Sequence, residues 1–339
     1  MAGYIVKRLL QVIPVFLGTT FLIFVVVYAL PGDPIAALGG GKQHLSPSVY
    51  NELRQRYNLD DPLLVQYGKY MLNLFQGNFG TDFQGHEVSA IIARNWPTSI
   101  LLGTTAWAMQ VVVGIPLGML AAYYRDRGPD AALRVFAIFT YATPVFFSGL
   151  LLKLIFGIWL GWLPVSGRAS IATELKIQML PNPSGFYLID AFRLGSPAAI
   201  GDVLVHAILP ALTLGLMTAG IFLRLVRTNM IGTLGQEFVD SGRSRGVSEF
   251  RLVTKHAYRP ALIPIITVIG LQIALLLGGA VLTESTFEWK GLGFQLAYYL
   301  SARDFVAVQG IVALLAVIVA LSNFIVDVLA ALIDPRVRY

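Results

Sequence analysis

The stretch FVDSGRSRGVSEF at residues 238–250, continued by HAYRPALIP at 256–264, is the most informative part of the chain. It is polar and basic, yet it lies between two apolar runs of membrane-spanning length. The segment is too polar to enter lipid, but Phe238, Val247 and Phe250 give it an apolar stripe that suits a groove on a partner protein. Two short helices separated at Gly246 are predicted, although composition alone also allows a solvated connecting loop.

The whole chain has the composition of a membrane protein. Of its 339 residues, 56% are apolar and 13% are charged, so a soluble globule would expose large apolar patches. Since a helix needs about 20 mostly apolar residues to cross the hydrocarbon core, we expect an all-α integral membrane protein with about six transmembrane helices. The apolar runs lie at 9–30, 99–123, 133–160, 203–223, 261–283 and 305–332.

Charge is distributed unevenly among the connecting segments. Basic residues concentrate before the first run, at 124–134, at 224–260 and after 332, whereas the alternate loops carry slightly more acid than base. The positive-inside rule therefore places both termini and the 224–260 loop in the cytoplasm. Topology accounts for the formal net charge of +6, so no nucleic-acid partner is expected.

The domain organisation follows from these runs. Residues 1–98 are predicted to hold the first transmembrane helix and an extracytoplasmic subdomain, 99–332 the transmembrane domain with its cytoplasmic loop, and 333–339 a cytoplasmic tail. Ser46 and Pro47 begin a predicted short helix toward Tyr57, and a second amphipathic helix is predicted at 63–75. Several prolines and glycines predict irregular structure across 163–202.

Polar residues and prolines inside the apolar runs are candidates for a translocation path. Gln110, Lys153 and Gln272 lie within predicted spans. The glutamines could equally bond neighbouring helices, and Lys153 could extend to the outer interface. Asp327 is expected to pair with a nearby arginine or cap a helix. Kinks are predicted where proline interrupts a span, at Pro116, Pro144, Pro210 and Pro264.

The residues disfavour catalysis in this chain. It contains no cysteine, which excludes disulfides, thiol nucleophiles and thiolate metal sites, and its four histidines form no H-E-x-x-H motif. Residues 242–246 match G-x-S-x-G, but a serine hydrolase would need a strand-to-helix turn beneath a sheet, whereas this match falls in a basic helical loop. The glycines at 39–41 lack the spacing of a phosphate-binding loop. We therefore expect no catalytic residue, metal or cofactor here.

The basic segment resembles the EAA coupling loop of bacterial ABC importer permeases, in which Glu-Ala-Ala is followed, after three residues, by glycine. Asp240, Ser241 and Gly242 occupy the first three places and Gly246 the glycine. The chain departs from the family pattern by having Asp240 where glutamate or arginine is usual, Ser241 and Gly242 for the alanines, and Pro260 where asparagine is common. Glycine in place of alanine costs a helix about 1 kcal/mol, but the small size is kept.

Further motifs of the dipeptide and oligopeptide branch recur in order along nearly the whole chain. Each motif alone is weak, but the ordered set is specific. The matching segments are Leu-Pro-Gly-Asp-Pro at 30–34, Leu-Asp-Asp-Pro at 59–62, Gly-Asn-Phe-Gly at 77–80, Gly-Ile-Pro-Leu-Gly at 114–118, Gly-Trp-Leu-Pro at 161–164, Gly-Leu-Gly at 291–293, Arg-Asp at 303–304 and Asp-Pro-Arg at 334–336.

The resemblance implies a type I ABC importer permease in a bacterial inner membrane. Such a subunit works with a second homologous permease subunit, two cytoplasmic subunits that bind ATP and Mg, and an extracytoplasmic substrate-binding protein. By family likeness, Glu284 is a candidate external gate or docking residue. The residues expected to contact an ATPase subunit are Glu237, Phe238, Asp240, Ser241, Gly242, Arg245, Gly246, Val247 and Phe250.

Two alternatives to a peptide importer remain open at this point. Closely similar permeases import nickel, haem or glutathione, and the sequence of the permease does not reveal the cargo. A stand-alone secondary carrier would be expected to show internal repeats, paired broken helices and acids at the membrane midplane. The chain has no evident repeat and no such acid, so the carrier is the weaker alternative.

The charge distribution predicts that Gly246 faces the cytoplasm, while His44, Ser166 and Trp289 face outward. Because the chain has no native cysteine, single cysteines can be probed with a membrane-impermeant thiol reagent. We expect Ser166→Cys to react in intact cells and Gly246→Cys to react only after permeabilisation. Labelling of Gly246→Cys from outside would overturn this topology.

Overall fold

Helices account for nearly all of the regular structure. The computed structural model describes residues 2–29, 47–56, 60–261, 276 and 279–333, and the exception within these ranges is an isolated bridge between Thr81 and Glu87. The helices are α1 Ala2–Ala29, α2 Pro47–Arg56, α3 Leu63–Phe75, α4 Val88–Tyr123, α5 Gly128–Ala142, α6 Val145–Leu152, the π-helix π1 Lys153–Trp159, α7 Ile171–Gln178, α8 Tyr187–Arg193, α9 Pro197–Leu234, α10 Glu237–Ser244, α11 Glu249–Arg251, the π-helix π2 Leu252–Ala257, a helical segment at 279–286, α12 Leu292–Ala302 and α13 Phe305–Ile333.

Four described helices, α1, α4, α9 and α13, are long and apolar enough to cross a membrane, and the number rises to five if α5 and the α6–π1 segment count as one bent span. This confirms the predicted all-α membrane architecture. The interior of the fifth predicted run, with Pro264 and Gln272, lies outside the described residues. Helix α9 has 38 residues and α4 has 36, so both are longer than the hydrocarbon core requires.

The third predicted run, 133–160, is broken into two helices. The chain bends by 108° between α5 and the α6–π1 segment. Thr143 is extended, and Pro144 precedes the first residue of α6. Proline has no N–H to donate and disfavours helical geometry in the residue before it, so the break falls where the sequence predicts a kink. By contrast, Pro116 and Pro210 lie inside continuous helices.

The segment before α4 and the segment between π1 and α9 each differ from expectation in one place. Helix α4 begins at Val88, so the predicted domain boundary at residue 98 falls inside a helix. The 163–202 segment is not wholly irregular, because it contains α7 and α8. Ser170 stabilises the start of α7 by accepting a hydrogen bond from the Thr173 N–H, and this cap was missed among the surrounding prolines and glycines. The predicted helix at 63–75 coincides with α3.

Two aspartates connect the segment before α4 to the junction between α12 and α13. Asp82 accepts hydrogen bonds from the His86 N–H at 2.8 Å and the Tyr299 hydroxyl at 2.9 Å. Asp304 accepts one from the Phe83 N–H at 2.7 Å. Burial acts to raise the pKa of Asp82, but the hydrogen bonds, foremost from His86 and Tyr299, hold that pKa below its ordinary value. The carboxylate therefore stays ionised at neutral pH and keeps this junction closed.

Glycines bring α4 and α9 into close contact. A Cβ atom on Gly118 would lie 2.6 Å from the Val226 Cβ, and one on Gly215 would lie 2.8 Å from the Ala106 carbonyl oxygen. Small residues allow two helix backbones to approach closely in a membrane, where van der Waals packing is the main attraction between helices. The pair α4–α9 is the centre of the described fold.

Ion pairs join the remaining helices at their ends. Asp130, at the start of α5, is fully buried and accepts from Arg227 of α9 at 2.6 and 2.7 Å. Arg8 of α1 lies 3.2 Å from Asp327 of α13, and the Tyr4 hydroxyl donates to the Asp327 carbonyl oxygen. The second pair confirms the prediction that Asp327 pairs with a nearby arginine.

We expect Gly118→Leu to destabilise the protein, because the new side chain must displace Val226 and separate α4 from α9. Overpacking of this kind costs about 1–3 kcal/mol. Gly103→Leu is the matched control, since it lies on the same helix and a Cβ there meets no atom within 4 Å. Thermal unfolding of the detergent-solubilised proteins, followed by size-exclusion chromatography, should show a lower melting temperature for Gly118→Leu and an unchanged one for Gly103→Leu. Equal melting temperatures of the two variants would contradict the packing argument.

Candidate functional site

The basic segment folds as two short helices joined by a turn at Gly246, as predicted. Gly246 has φ +78°, which L side chains rarely adopt. Its N–H donates to the Arg243 carbonyl at 3.0 Å, and the Val247 N–H donates to the Gly242 carbonyl at 3.2 Å. This pair of bonds is the Schellman motif, which satisfies the last carbonyls of a helix. The direction of the chain after α10 is therefore fixed by its backbone.

Arg243 links the two helices across this turn. Its guanidinium donates to Asp240 at 2.6 Å and to Glu249 with both Nε and Nη2. The bond from Arg243 lowers the pKa of Glu249, so the pair stays charged at neutral pH and is lost only as the pH falls through that lowered pKa. Exposed ion pairs contribute little stability, but this one holds α10 and α11 in a fixed relation.

The two faces of the segment have different roles. Val239 is fully buried, and a Cβ on Gly242 would lie 2.8 Å from the Leu252 side chain. Gly242 therefore permits close packing within this chain. Phe238 is 45% exposed and Phe250 is 73% exposed, so two large apolar side chains face solvent. The other exposed residues predicted for the site are Glu237, Asp240, Ser241, Arg245 and Gly246, and Val247 is partly buried.

The segment is attached directly to the spanning helices. Helix α9 continues to Leu234, so the first part of the predicted loop 224–260 is helical rather than connecting. Residues Val253 and Ala257 of π2 pack in one apolar cluster with Ala122 of α4 and Val226 of α9. The segment is thus in direct side-chain contact with α4 and α9.

Two of the path candidates take part in packing between helices. Gln110 of α4 is fully buried, and neither polar atom of its side chain has a hydrogen-bond partner within the described part of the chain. Lys153 is partly buried; its ammonium donates to the Thr286 carbonyl at 2.8 Å and lies 5.5 Å from the centre of the Phe287 ring. The prediction that these residues line a path is untested, and Gln272 lies outside the described residues.

Glu284, the candidate external gate or docking residue, is not accessible to a docking protein in this structure, and its role as a gate stays a prediction. Its side chain is fully buried and accepts from the Ser99 hydroxyl at 2.6 Å and the Phe294 N–H at 2.9 Å. The Ser99 oxygen in turn accepts from the Leu292 N–H at 2.8 Å. Glu284 therefore fixes the turn between the 279–286 helix and α12.

The same turn buries Trp289 within the protein, and its placement on the extracytoplasmic side of the membrane stays a prediction. Trp289 is fully buried, and its indole N–H donates to the Thr98 carbonyl at 3.1 Å. Gly291 makes room for the Glu284 carboxylate, because a Cβ there would come within 2.5 Å of both carboxylate oxygens. The turn is closed over the N-terminal part of α4 by these contacts.

Sequence reasoning missed the contacts that connect distant parts of the site. The Asp130–Arg227 pair joins the start of α5 to α9, and the spacing of these two residues carries no motif. A charge predicted so near a membrane span is the signal that could have marked Asp130. Among the described residues, no group of three or more histidine, aspartate or glutamate side chains is placed to hold a metal ion.

The whole chain matches known proteins along its length. Residues 114–339 match the family described as binding-protein-dependent transport system inner membrane component, and residues 1–102 match its N-terminal family. A di/tripeptide transport system permease protein, DppB, of Pseudomonas aeruginosa (strain UCBPP-PA14) is 36% identical over 340 residues, covering 100% of this chain and 99% of the relative.

Two further relatives carry different names. An oligopeptide transport system permease protein, AppB, of Bacillus subtilis (strain 168) is 33% identical over 341 residues, with 100% of both chains covered. A glutathione transport system permease protein, GsiC, of Salmonella paratyphi A (strain ATCC 9150 / SARB42) is 35% identical over 340 residues, again with 100% of both chains covered.

We expect Ser99→Ala to destabilise the turn over α4, because it removes a donor to Glu284 and an acceptor for the Leu292 N–H. Leaving buried polar groups unpaired costs about 1–3 kcal/mol. Ser301→Ala is the control, since its exposed hydroxyl donates only to the Ala297 carbonyl of its own helix. Thermal unfolding in detergent should separate the two variants, and a Ser99→Ala melting point equal to that of the control would refute the role assigned to Glu284.

Proposed function

The chain belongs to the family of binding-protein-dependent transport system inner membrane components, and we propose that it forms half of a path by which di- or oligopeptides enter a bacterial cell. It is a membrane-spanning permease subunit of an ABC importer. Support for a peptide cargo comes from the full-length similarity to permeases named for dipeptide, tripeptide and oligopeptide transport. The second half of the path would be a homologous permease subunit.

The observation that carries the coupling role is the geometry of residues 237–250. Exposed Phe238 and Phe250 stand on either side of a turn whose backbone is fixed by hydrogen bonds at Gly246. An apolar residue on a polar helical segment suits a groove of a partner protein. The proposed partners are two cytoplasmic ATPase subunits, which would bind ATP and Mg; this chain would supply no catalytic residue.

Movement of those partners would reach the membrane through contacts of this chain. A push on α10 is transmitted by π2 to the apolar cluster that contains Val226 and Ala122. From α9 it passes to α5 through the Asp130–Arg227 bonds at 2.6 and 2.7 Å. Because α4 and α9 pack backbone against backbone, they are expected to tilt as one unit and alternate the access of the path.

The orientation and the outer partner belong to the same proposal. Both termini and the 237–250 segment would face the cytoplasm, as the charge distribution predicts. An extracytoplasmic substrate-binding protein would deliver the peptide to the opposite side. The outer turn held by Glu284 and Ser99 would contribute to the closed outer end of the path.

Glutathione is the second candidate cargo. The glutathione permease relative is 35% identical over its full length, against 36% for the dipeptide relative, so overall identity does not separate the two. The family membership disfavours a stand-alone carrier.

Reconstitution of the complex tests the coupling role. We expect the complex to take up a labelled dipeptide with ATP, whereas this chain alone neither hydrolyses ATP nor transports. Gly246→Leu should impair uptake and retention of the ATPase subunits, because a branched side chain opposes φ +78°. Gly246→Asn should be milder, since asparagine tolerates this conformation.

The control for these variants is Gly232→Leu on α9, where a Cβ meets no atom within 4 Å and the backbone is helical. Uptake is compared at matched membrane abundance. Normal uptake and normal ATPase association in Gly246→Leu would remove the coupling role from the turn. Competition by glutathione but not by dipeptides would change the cargo, and transport by the chain alone would favour a carrier.

A further inference from the structure

A cavity of about 430 Å³ opens between α5 and α9, beside the Asp130–Arg227 ion pair. Three arginines, Arg134, Arg224 and Arg227, lie on its wall together with apolar residues that include Ile138, Tyr141 and Ile221. The two helices run antiparallel, with Asp130 contacting Arg227 at one level and Thr140 close to Gly220 at another. The arginines are therefore gathered at one end and the apolar residues at the other.

The charged end has more positive charge than its carboxylate can neutralise. Asp130 accepts two bonds from Arg227, and its Oδ1 also lies 3.7 Å from the Arg134 Nε. One carboxylate thus stands beside three guanidinium groups. Arg224 has no ion pair within the described residues, and Arg134 has only the 3.7 Å contact with Asp130, so both can donate to a bound anion.

The apolar end is open to the surroundings. Ile138 is 67% exposed and Tyr141 is 62% exposed, and both lie on a helix whose composition suits the hydrocarbon core. With the orientation given under the proposed function, the arginines lie at the cytoplasmic interface and the apolar wall extends toward the bilayer centre. This is the polarity of a phospholipid rather than that of a peptide or a free anion.

We propose that this cavity binds one anionic phospholipid of the cytoplasmic leaflet. Its phosphate accepts hydrogen bonds from Arg134 and Arg224, for which the planar guanidinium is well matched. One acyl chain lies along Ile138, Tyr141 and Ile221. Basic pockets between transmembrane helices on the cytoplasmic side are suited to such head groups. The site goes beyond peptide transport and rests on the proposed function only for its orientation.

Binding places a lipid against Arg227, the arginine of the Asp130–Arg227 pair. Because α9 leads directly to the 237–250 segment, the lipid would stabilise the relation between α5 and α9 that coupling requires. The binding itself can be measured without transport, so its failure and the failure of the peptide proposal are distinguishable.

The test is native mass spectrometry of the purified permease complex titrated with phosphatidylglycerol or phosphatidylcholine. We expect one phosphatidylglycerol to bind more tightly than phosphatidylcholine. Arg134→Gln combined with Arg224→Gln should weaken that binding about thirtyfold, since each basic residue near an anionic lipid contributes on the order of fivefold. Arg127→Gln is the control, because Arg127 is exposed on the same side and lies outside the cavity.

Further variants distinguish the contribution of the positive charge to lipid binding from that of the shape of the cavity. Replacing both arginines by lysine should retain most of the binding, whereas Ala142→Trp should fill the apolar end and weaken binding with the arginines intact. Inorganic phosphate at the same concentration should not displace the lipid. Unchanged phosphatidylglycerol binding in the double Gln variant, or equal binding of phosphatidylcholine, would overturn the proposal. Loss of the second permease subunit from that variant would instead identify a protein interface.

Discussion

Close packing of α4 on α9 is the contact on which the rest of the structure depends. Gly114, Gly118 and Gly215 leave no room for even a Cβ atom between the two helices. Water is absent from the bilayer core, so helix association there relies on such van der Waals contact. Both ends of the paired helices then become attachment points. The Glu284 turn closes over one end, and π2 with the 237–250 segment packs near the other.

Polar contacts stand at the ends of the helices and give the assembly its specificity. Asp130 is buried and its partner Arg227 is largely buried, and burying charges costs nearly as much as their attraction returns. The pair instead gives specificity, because it fixes the start of α5 beside α9. Asp82 and Asp304 do the same for the segment before α4 and the start of α13. Apolar packing supplies the attraction, while these carboxylates select one arrangement.

The sequence predicted the features that depend on residues close together in the chain, namely local helices, spans and turns. The break at Gly246, the helix at 63–75 and most spans follow from glycine chemistry, periodicity and apolar length. Features that need distant partners were not predicted. The burial of Glu284 depends on Ser99, and the role of Asp130 depends on Arg227. The break before α6 falls at the kink predicted for Pro144, although the uninterrupted apolar run did not indicate that the span would divide into two helices. Prolines concealed the capped helix α7.

The length of α9 has a consequence for the membrane around the protein. A helix of 38 residues extends about 57 Å at 1.5 Å per residue, well beyond a hydrocarbon core of about 30 Å. The excess allows α9 to meet thinner or thicker bilayers by changing its tilt, at a cost of fractions of a kcal/mol per Å of mismatch. Because α4 is nearly as long and is packed against it, the pair would tilt together. Changes in lipid chain length with growth temperature would then alter the inclination of the pair while its internal contacts persist.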